Sequence, residues 1–119
     1  MHVTILDDDT ALLRSLEIVL TDLGHEVTVF DDPEVACRHI RSGSALDVLI
    51  LDYMMPAFTG LEVLKRVGAH LREGCKVIMV TGHGDCLSPT GLKGERVHTV
   101  LPKPVDLDRI CNIVGRPDR

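Results

Sequence analysis

The chain has 119 residues, 45% of them hydrophobic and 26% charged, with a formal net charge of −5. That length accommodates one domain with a real core and not two. The acidic balance argues against general nucleic-acid or anionic-membrane binding, no apolar run approaches the roughly 20 residues of a bilayer span, and the opening MHVTILDDD lacks the basic and apolar regions of a signal peptide.

In chain order, VTIL (3–6) reads as a short strand running into Asp7, Asp8 and Asp9. Leu12, Leu13, Leu16, Val19, Leu20 and Leu23 then recur at the spacing of one helix face, and Gly24 is placed to stop that helix. Asp9, directly before the periodic run, is expected to cap it instead of binding a metal. EVTVF (26–30) alternates and is β-branched, which predicts a second strand. Asp32 as N-cap and Pro33 at the first helical position open a second helix, which Gly43 ends.

A third strand is predicted at about 46–51, where VLIL has the unbroken apolar composition of a strand covered on both faces. It runs into Asp52 and a loop through Met54, Met55, Pro56 and Gly60, followed by a helix from Leu61 to about Leu71. Met54 and Met55 read as adaptable packing, and Pro56 and Gly60 as residues that shape the loop. KVIMVT (76–81) is the fourth strand and VHTVL (97–101) the fifth. The last helix is capped by Asp106, turns Leu107, Ile110, Cys111 and Val114 inward, and is followed by the breakers Gly115 and Pro117.

Alternating strands and helices of this length predict an α/β domain: a parallel sheet with helices on both faces. Ligands of such sheets bind where the strands' carboxyl ends meet the loops. The residues predicted there are Asp7, Asp8, Asp9, Asp52, Thr81, Lys103 and Pro104. Crowded carboxylates repel one another, and a divalent cation relieves the conflict. Oxygen-only ligands favour Mg²⁺, with Mn²⁺ as an alternative. A lysine and a threonine suit phosphoryl oxygens, and a carboxylate can itself accept a phosphoryl group. The set suggests phosphoryl transfer to an aspartate.

Over nearly its whole length the sequence resembles the receiver domain of two-component response regulators, in the CheY-like superfamily. The matching pieces are ILDDD, LILDYMMPAFTGLEVL around Asp52, VIMVTGHGD with Thr81, and LPKP with Lys103. The resemblance implies a single doubly wound (βα)5 flavodoxin-like domain over residues 1–115, with strand order 2-1-3-4-5 and a tail or linker start at 116–119. It implies that Asp52 is phosphorylated by a histidine kinase or phosphotransfer protein. Asp7, Asp8, Asp52 and the Met54 backbone carbonyl would bind Mg²⁺. Thr81 and Lys103 would contact the phosphoryl group, beside Gly82 and His83 of the following loop. The Lys103–Pro104 peptide would be cis. Signal would leave through the face formed by the helix after strand four, strand five and the last helix, toward an effector or output domain, and that face is also a candidate for homodimer pairing. Catalysis would be self-directed, with no external substrate turned over. A cytoplasmic location is expected, with neither nucleic acid nor membrane contacted.

Two departures stand out. Val100 occupies a switch position where the family usually carries an aromatic ring. The segment before strand five holds Pro89, Gly91 and Gly94, each unfavourable inside a helix, so a short or irregular fourth helix is expected, ordered by a partner or dimer mate. His83 reads as a solvated loop residue or as one tuning access to the phosphoryl group. His2, His25, His39, His70 and His98 show no ligand spacing and are expected at the surface or an edge. The cysteines Cys37, Cys75, Cys86 and Cys111 show neither CxxC nor metal-ligand spacing, which fits reduced thiols.

Two other functions fit these residues less well. A haloacid-dehalogenase-like phosphatase needs D-x-D-x-[TV] after the first strand, but DDDTA places Ala11 at the last position, and Asp52 is left unexplained. A receiver-like interaction module working without phosphorylation would not need the full set Asp7, Asp8, Asp52, Thr81 and Lys103.

Overall fold

The computed structural model describes residues 1–43, 45–82 and 96–116. Five strands, β1 (His2–Leu6), β2 (Glu26–Phe30), β3 (Val48–Asp52), β4 (Lys76–Thr81) and β5 (Thr99–Pro102), form one sheet in the order β2-β1-β3-β4-β5. Every pairing is parallel. The described helices are α1 (Thr10–Asp22), α2 (Pro33–Arg41), α3 (Gly60–Val67) and α4 (Leu107–Val114). The irregular helix expected at 86–95, with Cys86, Pro89, Gly91 and Gly94, lies outside the described residues, as does His83.

The pleat divides the apolar runs between two cores. Val48 and Ile50 of β3 join Val3, Ile5, Ile78 and Leu101 under α1 and α4. Leu49 and Leu51 join Val77 and Met79 under α2 and α3. Both faces of β3 are therefore covered and all five of its residues are buried, which accounts for the unbroken VLIL. Fully burying each of these side chains contributes about 1.5–3 kcal/mol against exposure.

The helix starts follow the predicted chemistry. The side chains of Asp9, Asp32 and Asp106 accept hydrogen bonds from the backbone N–H groups of Leu12, Glu34 and Arg109 at 3.2, 2.9 and 3.2 Å. Thr59 and Glu62 add a reciprocal capping box at α3, a signal readable as T-x-x-E in TGLE that sequence reasoning passed over.

Several boundaries differ from expectation. The third strand runs 48–52 and not 46–51, so Asp52 is part of the strand, in register with Val80. The fifth strand covers 99–102 and not 97–101. The third helix starts at Gly60 and gives way at Gly68–His70 to a 3₁₀ turn. Arg96 donates there to the carbonyls of Gly68, Leu71 and Arg72, satisfying acceptors that a continuing helix would have used. On α4, Ile110 and Val114 are buried, whereas Leu107 and Cys111 are only half-buried.

His25 corrects a further expectation. It is 3% exposed, not at the surface, and its Nε2 lies 2.7 Å from the Gly115 carbonyl. The turn between α1 and β2 brings it beneath the end of α4, a contact across 90 residues that local sequence cannot reveal.

Candidate functional site

Parallel strands end on one side of the sheet, and four of these ends carry the predicted chemistry. Asp7 follows β1, its N–H donating to the Phe30 carbonyl at 3.1 Å. Asp52 is the last residue of β3 and Thr81 the last of β4. Lys103 follows β5, held by an N–H donated to the Thr81 carbonyl at 2.8 Å. The Lys103–Pro104 peptide is cis.

The side chains converge. Asp7 and Asp52 are each 2% exposed, and Asp8 beside them is open to solvent. One carboxylate oxygen from each of Asp7, Asp8 and Asp52 lies within 4.8 Å of the others. Lys103 Nζ stands 3.3 Å from Asp7 and 3.4 Å from Asp52 Oδ2. Asp7 Oδ1 also accepts from the Asp9 N–H at 2.8 Å, so Asp9 serves both this carboxylate and the α1 cap. Thr81 is 2% exposed at the same rim.

The electrostatics of this cluster are unfavourable without a counter-charge. Burial pushes the Asp52 carboxyl up, the neighbouring Asp7 pushes it further, and Lys103 only partly opposes them, leaving it at about 7 against an ordinary 3.8. Burial alone would lower the Lys103 ammonium, but Asp7 and Asp52 outweigh it and raise it. Among the described residues Asp52 Oδ2 is buried without a hydrogen bond: Lys103 is within ion-pair reach but is not directed onto it. An unsatisfied buried carboxylate oxygen in an all-oxygen cluster fits a hard divalent cation, which would supply the missing charge.

The remaining predicted residues stand around this centre. Met54 is 59% exposed and bridges antiparallel to Thr59, closing the loop that follows Asp52. Gly82 is the last described residue after Thr81. Val100 is not at the rim: it is half-buried, pairs with Met79, and packs on the core under α2 and α3. A cleft beside Lys103 is lined by Asp9, Leu12, Pro104, Val105 and Leu107. Sequence reasoning did not foresee how tightly Gly60 fits against the Asp52 backbone, because the close approach is made by a glycine that carries no side chain to signal it.

A family profile described as the response regulator receiver domain matches residues 3–115. The transcriptional regulatory protein FixJ of Bradyrhizobium diazoefficiens is 32% identical over 115 residues, covering 95% of this chain and 54% of FixJ. The DNA-binding transcriptional regulator NtrC of Azospirillum brasilense is 27% identical over 114 residues, covering 96% of this chain and 23% of NtrC. The chain thus spans about half or less of the length of these curated relatives. Among solved structures, a CheY-like response regulator receiver domain protein from Methanospirillum hungatei superposes with a TM-score of 0.82 at 27% identity, over 95% of this chain and 89% of that one. Strand order, the acidic rim and the family match agree, and the chain belongs to the receiver domain family of two-component response regulators.

Proposed function

We propose that Asp52 is the phosphoacceptor of this receiver domain and that the domain, residues 1–115, switches a protein-interaction face when it is phosphorylated. The observation that carries the reading is the buried Asp52 Oδ2, without a hydrogen bond among the described residues, in a carboxylate that lies beside Asp7 and within reach of Lys103. An Asp52 carboxylate oxygen attacks the phosphorus of a phosphohistidine or small-molecule donor. A P–O bond to Asp52 forms, the bond to the donor breaks, and the leaving group takes up a proton. Water later attacks the acyl phosphate, returning Asp52 and releasing inorganic phosphate. The chemistry is self-directed, and no external substrate is turned over.

Asp7, Asp8, Asp52 and the Met54 carbonyl would hold Mg²⁺, or Mn²⁺, which supplies positive charge against the phosphoryl oxygens when bound. Lys103 offers a mobile ammonium to the same oxygens and Thr81 a hydroxyl. The new group adds roughly −1.5 to −2 charge, which biases Thr81 and Gly82 after it. The phosphodonor is a histidine kinase or phosphotransfer protein, and the apolar-lined cleft beside Lys103 suits the approach of such a partner. Output passes to an effector or attached domain through the face that includes β5 and α4, or through homodimer pairing there. A cytoplasmic setting follows from such partners. Among the described residues, no helix is long and apolar enough to cross a membrane.

Incubation with a small phosphodonor and Mg²⁺, followed by intact-mass measurement, tests the reading. One phosphoryl group on the wild type and none on Asp52→Ala is expected. No phosphate on the wild type favours an interaction module that signals without phosphorylation, and phosphate persisting on Asp52→Ala overturns the site assignment.

A further inference from the structure

We infer that Gly60 is a positioning residue for Asp52: the absence of a side chain there sets where the phosphoacceptor's backbone stands. The inference rests on the reading of Asp52 given above. A methyl group built on Gly60 would lie 2.6 Å from the Asp52 carbonyl oxygen and 2.6 Å from Met79 Sδ. Both separations are well inside contact distance, so something must move by several tenths of an ångström.

The surroundings decide what yields. The Gly60 N–H donates to the Tyr53 carbonyl at 2.8 Å, and the Tyr53 N–H donates to the Val80 carbonyl at 2.7 Å. The start of α3 is therefore tied through two hydrogen bonds to β4. Thr59, which caps α3, is also bridged to Met54, so the start of α3 is tied back to the loop that follows Asp52 as well. Met79 is fully buried and lies in a cross-strand row with Leu51 and Val100. Its sulfur is the end of a flexible side chain and can shift. The Asp52 carbonyl has no comparable freedom: it moves only with the peptide that carries the reacting carboxylate. A side chain at position 60 consequently displaces Asp52 relative to Asp7 and Lys103, which approach the acid from other strands and do not follow it.

The role is separable from ordinary packing because the two close contacts have different consequences. Pressure on Met79 lowers stability, whereas pressure on the Asp52 carbonyl misplaces the nucleophile. Misplacement of about 1 Å costs on the order of 100-fold in rate, so a shift of several tenths is expected to cost about tenfold.

The test compares wild type, Gly60→Ala, Met79→Ala, Gly60→Ala/Met79→Ala and, as a control, Gly68→Ala, where an added methyl meets nothing within 4 Å. Melting temperature and circular dichroism give the folded fraction of each. Phosphate uptake from a small donor at saturating Mg²⁺ is then expressed per folded molecule. Mg²⁺ titration is followed by emission of Tyr53, the chain's one tyrosine, which directly follows Asp52. Gly60→Ala is expected to take up phosphate about tenfold more slowly per folded molecule, and removing Met79's sulfur should not restore the rate. Gly68→Ala and Met79→Ala should match wild type in this measure. A Gly60→Ala rate equal to wild type per folded molecule overturns the inference, as does full recovery in the double variant. Failure of both Gly60 variants to fold while Met79→Ala folds makes the glycine a packing residue and also overturns it. If wild type itself takes no phosphate, the reading of Asp52 fails instead.

Discussion

Replacing Asp52 by Asn is expected to stabilise the cation-free protein. Asparagine keeps the shape of aspartate and removes one charge from a buried cluster that has too many of one sign. In the folded chain the Asp52 carboxyl stands at about 7 instead of 3.8, raised first by burial and then by Asp7, with Lys103 pulling the other way. A difference of about three pH units corresponds to about 4 kcal/mol of penalty on the ionised form. Solvent reaching the rim through exposed Asp8 screens part of it, which brings the expected gain to about 1–2 kcal/mol at pH 8. For a chain of this size that is a rise in Tm of about 4–8 °C.

The pH dependence has a definite sign. Because the folded value is raised, the favourable contribution of protonated Asp52 is complete below about 3.8 and is lost as pH rises through about 7. The gap between Asp52→Asn and wild type should therefore be small at about pH 3.8 and below, more than a third of its full size at pH 5, and fully open at pH 8. Thermal or urea unfolding in a chelator measures it, and saturating Mg²⁺ should close it by stabilising wild type preferentially. An asparagine variant that is no more stable than wild type at pH 8 in chelator would refute the reasoning, and so would a gap that does not narrow toward pH 5.

Three further outcomes are expected. Lys103→Met should leave the protein folded but slow phosphate uptake by about 10²-fold or more, measured by intact mass over time, because the only cation within ion-pair reach of Asp52 among the described residues is lost. His25→Ala should cost about 1–3 kcal/mol in urea unfolding, since it removes the ring that meets the Gly115 carbonyl at 2.7 Å and opens a void beneath α4. Thr59→Ala should cost about 1 kcal/mol, because its Oγ1 accepts the Glu62 N–H at 3.1 Å, and Thr59→Ser should recover most of that in the same assay.

What could be read from the sequence was whatever a strand or helix expresses locally. VLIL announces a strand covered on both faces, and the residues after each apolar run fall at one rim because parallel strands end together. Asp7, Asp52 and Lys103 could thus be placed side by side although 96 residues separate the first from the last. Three features were hidden for a common reason. The burial of His25 depends on the end of α4, the shortened α3 on Arg96, and the demand for glycine at position 60 on Asp52 and Met79. Each is imposed by a contact with a distant part of the chain, and hydrophobic periodicity carries no record of such contacts. Strand ends slipped by one or two residues because the ladder partners, not the strand's own composition, decide where pairing stops.

The charge balance of the rim explains why one chain tolerates so costly an arrangement. Among the described residues three carboxylates face a single ammonium, so the fully ionised cluster carries a net charge of −2. Without a cation the cluster lowers its own cost by keeping Asp52 partly protonated near neutral pH, and a protonated carboxyl is a poor nucleophile. A divalent cation would bring the count to zero and hold Asp52 in the ionised form that can attack phosphorus. Replacing that carboxylate by a phosphoryl group carrying roughly −1.5 to −2 charge leaves the rim again with unbalanced negative charge. In the proposed reading the Lys103 ammonium and the Thr81 hydroxyl, at the ends of β5 and β4, would answer it. Those strands lie at the side of the sheet away from β2, so on the proposed reading an imbalance created at Asp52 would be relieved on the β4–β5 side. A signal read on that side would need no change in β1 or β2, and the stability lost to the acidic cluster would become the free energy that the proposed phosphorylation redirects.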